Sequence, residues 1–254
     1  MMTAKGTVRC LVFGMLVWGS AAVQAVTISS FSFEQLAVGP NNSPAPNLGA
    51  GMATPLGMTN NFTTPPSVTN CDVLTNAGSS NPLPDNKAWR IRSTGTGNGN
   101  GWAAAAPQYS QGAEFLMSTG GYQDIQLTYD WFPTTQGVKH QQVQYTSDGA
   151  TWQNVGPLVA GPGTEAWVNG ISIDFSGFSE VNNNALFGVR IVSAYAPDGP
   201  NAGQYVNLTG AVINSTSGNW RFDNIQISGN VIPEPGVLAL SLLGALFAWP
   251  RGRR

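Results

Sequence analysis

Charge is what this sequence has least of. Asp, Glu, Lys and Arg make up 9% of its 254 residues, against about 25% in an ordinary globular chain. Between residues 26 and 230 the cations number six (Lys87, Arg90, Arg92, Lys139, Arg190 and Arg221) and face twelve carboxylates. An acidic segment without clustered Lys and Arg offers no surface for phosphates, which sets nucleic acid aside as a partner. Histidine occurs once, His140, in a Gln-rich segment read as an exposed strand, and no G-x-S-x-G elbow supplies a nucleophile, so a hydrolase triad is not expected. Cysteine occurs twice. Cys10 lies in an apolar run near the amino terminus, and without it Cys71 has no partner for an internal disulfide. No segment shows a convincing amphipathic helical period. The glycines of GTGNGNG at 95–101 alternate with Thr and Asn rather than taking the G-x-G-x-x-G spacing of a phosphate loop.

Strand signals dominate what is present. Ile125, Leu127, Tyr129 and Trp131 alternate with Asp124, Gln126, Thr128 and Asp130, which predicts a strand with its large apolar groups on one face. Val143 and Tyr145 alternate with Gln142, Gln144 and Thr146. Ser147-Asp148-Gly149 then marks a turn back toward Thr151 and Trp152, because Asp-Gly accepts the positive φ of a tight hairpin. Further strands are expected at 27–33, 88–93, 112–118, 171–175, 185–194 and 220–228, with the Pro-, Asn- and Thr-rich stretch 39–86 as loop. Within Trp220-Arg221-Phe222-Asp223-Asn224-Ile225-Gln226-Ile227 the apolar phase changes midway, and a β-bulge near Asp223 and Asn224 would return all four large groups to one face. Many short strands separated by turn residues predict an all-β fold, an antiparallel β-sandwich of the jelly-roll type, over residues 26–230.

Both ends of the chain depart from this pattern. Lys5 and Arg9 precede the apolar run 10–17 and the small residues Ala21 and Ala22, the order of a signal peptide. Val23 and Ala25 occupy the positions that signal peptidase reads, so residues 1–25 are expected to form a signal-peptide helix removed to leave Val26. A retained membrane anchor would need about 18 apolar residues, more than this core has. Residues 231–254 carry Pro233-Glu234-Pro235, the apolar run 236–249, Pro250, and then Arg251, Arg253 and Arg254. A short apolar helix ending in cations stalls in a membrane with the cations on the cytoplasmic side, which leaves the preceding domain outside.

This tail resembles the PEP-CTERM sorting signal of Gram-negative bacteria. The departure is Pro250, which would end or kink the helix before the arginines. The resemblance implies export across the inner membrane, transient membrane insertion, processing by signal peptidase and an exosortase, and a place at the cell surface or in an exopolysaccharide matrix. The bland alternative is a carboxyl-terminal strand tucked into the domain.

The bulged segment at 220–227, together with Phe31-Ser32-Phe33-Glu34, resembles the last and first strands of galactose-binding-like jelly rolls, including carbohydrate-binding modules. That resemblance implies a structural Ca²⁺ shared by Glu34 and Asp223, with ordinary hydrogen bonding of Asp223 to nearby backbone as the alternative. Trp102, Trp152 and Trp167, near expected loops, are candidates for stacking on sugar rings. For glycosidase chemistry the best same-face pair within one strand, Asp124 and Asp130, is separated by about 20 Å, against the roughly 5 to 9.5 Å the reaction needs. Carboxylates meeting across strands stay open at this stage. Three readings follow: a non-catalytic surface or matrix protein, a carbohydrate-binding module, and a glycan-active enzyme.

Overall fold

The computed structural model describes residues 24–34, 44–58, 73–75, 78–80, 87–92, 101–214 and 217–233. The signal-peptide helix, the apolar carboxyl-terminal helix and most of the 95–101 run lie outside these residues.

Eleven strands are described: β1 (Val26–Phe31), β2 (Met52–Leu56), β3 (Val73–Thr75), β4 (Lys87–Ile91), β5 (Gly112–Leu116), β6 (Tyr122–Pro133), β7 (His140–Thr146), β8 (Gln153–Ala160), β9 (Val168–Asp174), β10 (Gly188–Ala194) and β11 (Trp220–Val231). They form two antiparallel sheets packed as a sandwich. The first has the order β3-β4-β11-β6-β9, with β1 also paired to β11, and the second the order β2-β5-β10-β7-β8. Because β6 lines the whole of one edge of β11, β4 (opposite 220–222) and β1 (opposite 225–229) share its other edge end to end.

The β6 pattern holds. Ile125, Leu127, Tyr129 and Trp131 are all buried and meet Phe115, Val143, Tyr145, Val189 and Ile191 of the facing sheet in one core. Four tryptophans sit at its centre, with the Trp220 ring 4.4 Å from that of Trp102 and 5.2 Å from that of Trp131. The indole N–H of Trp220 donates to the Val138 carbonyl at 2.7 Å, so burying this polar tip leaves nothing unsatisfied.

The bulge in β11 is also present. Asp223 faces Asp130 but Gln226 faces Thr128, which is one extra residue on β11, and Asn224 takes the positive φ of 49° that the irregularity demands. Its effect is the expected one: Trp220, Phe222, Ile225 and Ile227 all point into the core.

Three expectations need correction. The stretch 39–86 is not only loop, since it contributes β2 and β3. β2 was hidden because it is a sheet edge that contains Pro55, which only an edge strand tolerates, and buries only Ala53. β8, the opposite edge, was missed because Gly156 at φ 68° and Pro157 break its alternation. His140 is not exposed: all seven residues of β7 are buried on both faces, with Gln142 donating to the carbonyls of Val155 and Gly156.

Candidate functional site

The β11 bulge does more than rephase the core. It turns Asp223 outward opposite Asp130, and both carboxylates are buried, at 0% and 1% exposure. Ser79 and Ser80 lie across them. The Ser79 hydroxyl donates to Asp223 Oδ2 at 2.6 Å, and the Ser80 amide (2.7 Å) and hydroxyl both donate to Asp130 Oδ2. Asn224 serves both acids, its backbone N–H donating to Asp223 at 2.7 Å and its amide nitrogen to Asp130 at 2.8 Å. The Gly170 N–H completes Asp130 at 2.7 Å. Beside this cluster a polar cavity of about 270 Å³ opens on the outer face of the first sheet, lined by Ser80, Thr128, Tyr129, Asp130, Gly170, Asn224 and Gln226.

Glu34 follows β1 and accepts from the Lys87 N–H at 2.9 Å, which holds it between β1 and β4 on the edge of β11 that Asp223 occupies. Burial pushes the Asp223 carboxyl up to about 7, against the pull of the Ser79 and Asn224 donors, and the charges of Glu34 and Asp130 push it further the same way. The two residues nominated for calcium are therefore electrostatic neighbours. Among the described residues no three His, Cys, Asp or Glu side chains converge as a metal-ligand set. An ion at this place would draw most of its six to eight oxygens from backbone carbonyls and water.

The three nominated tryptophans are not one platform. Trp102 is fully buried against Trp220 and is a core residue, which removes it as a sugar-stacking candidate. Its neighbours are Gly and Ala, so its isolation in a small-residue run looked like a loop position. Trp152 lies on the outer face of the second sheet, with the Arg190 guanidinium 3.8 Å above its ring. Trp167 packs edge-on to Phe132 of the first sheet at 5.5 Å. The last two thus sit on opposite faces of the sandwich.

Around Trp152 the register aligns Thr54, Glu114, Arg190, Gln144 and Asn154 in one row across all five strands of the second sheet. Arg190 pairs with Glu114 at 2.6 Å, and Gln144 donates to Asn154 at 2.9 Å. The row is a polar band whose central cation is held by a carboxylate on one side and an indole face on the other.

No protein-family model and no curated protein matches the chain. Among solved structures it is similar to a Clostridium thermocellum chain containing the CBM22-1 and GH10 modules of endo-1,4-β-D-xylanase 10B, complexed with xylohexaose. The identity is 10% and the TM-score 0.35, over 80% of this chain and 28% of that one. The chain thus spans less than a third of that protein's length, and a likeness this distant carries no argument about ligands.

Of the remaining nominated residues, Ala25 immediately precedes β1 and Pro233 follows β11. Val23, Glu234, Pro235, Arg251, Arg253 and Arg254 lie outside the described residues. His140 is held below its usual range, first by burial and then by Lys139, with Asp198 opposing. Among the described residues its buried Nδ1 meets no hydrogen-bond partner. Sequence reasoning missed Ser79, Ser80 and Asp130 as a unit. The signal for Asp130 was present, since an acid facing the bulge position of a neighbouring strand must find donors, but the Ser79-Ser80 segment carries no periodicity that would bring it there.

Proposed function

We propose that this chain is an exported, non-catalytic surface protein whose β-sandwich is delivered outside the inner membrane and held through the PEP-CTERM-like tail, in contact with exopolysaccharide. The observation that carries this reading is the fit between the strands and the two terminal signals. Val26, the residue expected to follow signal cleavage, is the first residue of β1 and pairs with Gly229, while Pro233 stands two residues beyond the end of β11. Both segments can be removed without taking a strand from the sandwich. Fractionation of cells with and without the exosortase tests it. The protein should change fraction and lose residues beyond the Pro-Glu-Pro motif only where the enzyme is present. An identical fraction and an intact tail in both strains overturn the reading.

A second reading, carbohydrate binding, is favoured by the polar row over the second sheet. Its Arg190, Asn154 and Thr54 side chains offer donors and acceptors to sugar hydroxyls beside the Trp152 ring. Affinity electrophoresis in gels containing matrix polysaccharide, comparing wild type with Trp152→Ala and Asn154→Leu, decides it. Equal mobility of all three with and without polysaccharide removes this reading and leaves the first untouched.

A further inference from the structure

Among the described residues the most exposed large apolar side chain lies at one end of the second sheet. Leu186 is 58% exposed although Phe187 beside it is fully buried, and together with Leu116, Met117, Ser118 and Ala185 they line a cleft of about 400 Å³. An open apolar cleft of this kind marks a contact surface. The far end of the described chain arrives beside it. The Ile232 N–H donates to the Gly121 carbonyl at 2.9 Å, and two residues away the Thr119 N–H donates to the Asn184 carbonyl at 2.8 Å, with Met117 N–H bound to the Phe187 carbonyl at 3.0 Å. The chain then continues through Pro233 into 236–249, GVLALSLLGALFAW, a run without a single charge. From Pro233 to Val237 the backbone reaches up to about 13 Å, and it sets out from the Gly121 end of the segment whose Met117 and Thr119 bond to the residues on either side of Leu186.

We propose that the cleft around Leu186 is the docking site for the start of the apolar run 236–249 of the same chain, holding Val237, Leu238 and Leu240 out of water until the run enters a membrane. The inference rests on the sorting reading only for that last step. A second copy fits less well: Asp148, next to Gly149 at the rim, accepts three hydrogen bonds that hold its carboxyl well below the usual range. Two such ionised rims would repel, whereas the run brings no charge from Gly236 to Trp249, and the acid that precedes it, Glu234, stays outside the cleft. The cleft is too small for the whole run, so the contact is partial and releasable.

The test uses the purified chain from Val26 to Arg254, which keeps every described strand, in a Cys71→Ser background. Leu186→Cys with Leu238→Cys should form an intramolecular disulfide under mild oxidant at least tenfold faster than Asn169→Cys with Leu238→Cys, Asn169 being exposed on β9 of the other sheet. Equal rates overturn the proposal, and so does a product that is mainly a disulfide dimer, which would make a second copy the occupant. In case the cysteine variants misfold, binding of an apolar fluorescent dye gives an independent readout. Leu186→Ser should raise the dye bound by the full chain, by freeing Val237, Leu238 and Leu240, and lower that bound by a chain ending at Pro235, while a full chain whose dye binding does not rise on Leu186→Ser refutes docking. Neither measurement uses membranes or exosortase, so their failure leaves the sorting reading standing, and a failed fractionation leaves them readable.

Discussion

Replacing Asp223 with Asn is the sharpest perturbation this structure offers, because Asp223 is a fully buried acid whose carboxyl is raised from 3.8 to about 7. Between those two values the folded protein keeps a proton that the unfolded chain has released. Folding stability must therefore fall as pH rises through that window. It is fully present below about 4, declines between about 4 and 7, and is flat above 7 as far as this residue is concerned. Three units at about 1.36 kcal/mol each set an upper bound of roughly 4 kcal/mol for the decline. Asparagine imitates the protonated acid: its oxygen can accept from the Asn224 N–H and its amide can donate to Ser79. The assay is urea unfolding followed by tryptophan fluorescence at half-unit steps from pH 4 to 8, plotted as wild type minus Asp223→Asn, so that other titrating groups largely cancel. The difference should fall by about 2 to 4 kcal/mol. A difference flat to within about 0.5 kcal/mol, or one that rises with pH, would refute the assignment of Asp223 as a raised acid.

If Glu34 and Asp223 share a calcium ion, chelation should lower the melting temperature of wild type and not of Asp223→Ala, with a stabilisation of roughly 2.7 kcal/mol at a hundredfold excess over Kd; melting curves that coincide with and without chelator remove the ion. Trp131→Ala should cost about 3 to 5 kcal/mol in chemical denaturation, as for other buried large aromatics, and a loss under about 0.5 kcal/mol would contradict its place in the core. Terminal sequencing of the exported protein should begin at Val26, and a sequence beginning at Met1 would refute signal cleavage. Arg190→Met should weaken folding by no more than about 1 kcal/mol, since its ion pair with Glu114 is partly exposed; a loss several times larger, measured the same way, would mean that the polar row is a structural brace.

The legible parts of the fold were those where one face is buried and the other wet. β6 alternates because its outer residues Gln126 and Thr128 meet water while Leu127 and Tyr129 meet the facing sheet, and the bulge in β11 was readable because strict alternation would have expelled Ile225 and Ile227. β7 misled because its outer Gln142 and Gln144 are buried by hydrogen bonding to β8 rather than by apolar packing, and glutamine in sequence signals exposure. The edge strands β2 and β8 were illegible for a related reason: an edge needs few inward side chains and accepts proline. At the site, Glu34 lies near enough for its charge to raise the Asp223 carboxyl. Trp102 could not be assigned, because whether an isolated tryptophan is core or rim depends on what folds over it, here Trp220 from more than a hundred residues away.

The pairing of β11 along both edges has a mechanical consequence. Its last residue leads directly into the tail, so a pull on that tail draws β11 along its own axis, against β6 on one side and β1 and β4 on the other. Ladder hydrogen bonds run across the strands, so such a load shears them together instead of opening them one at a time. A sandwich pulled through a central strand resists detachment as a unit, and any load applied at this corner passes into the part of the fold least able to peel.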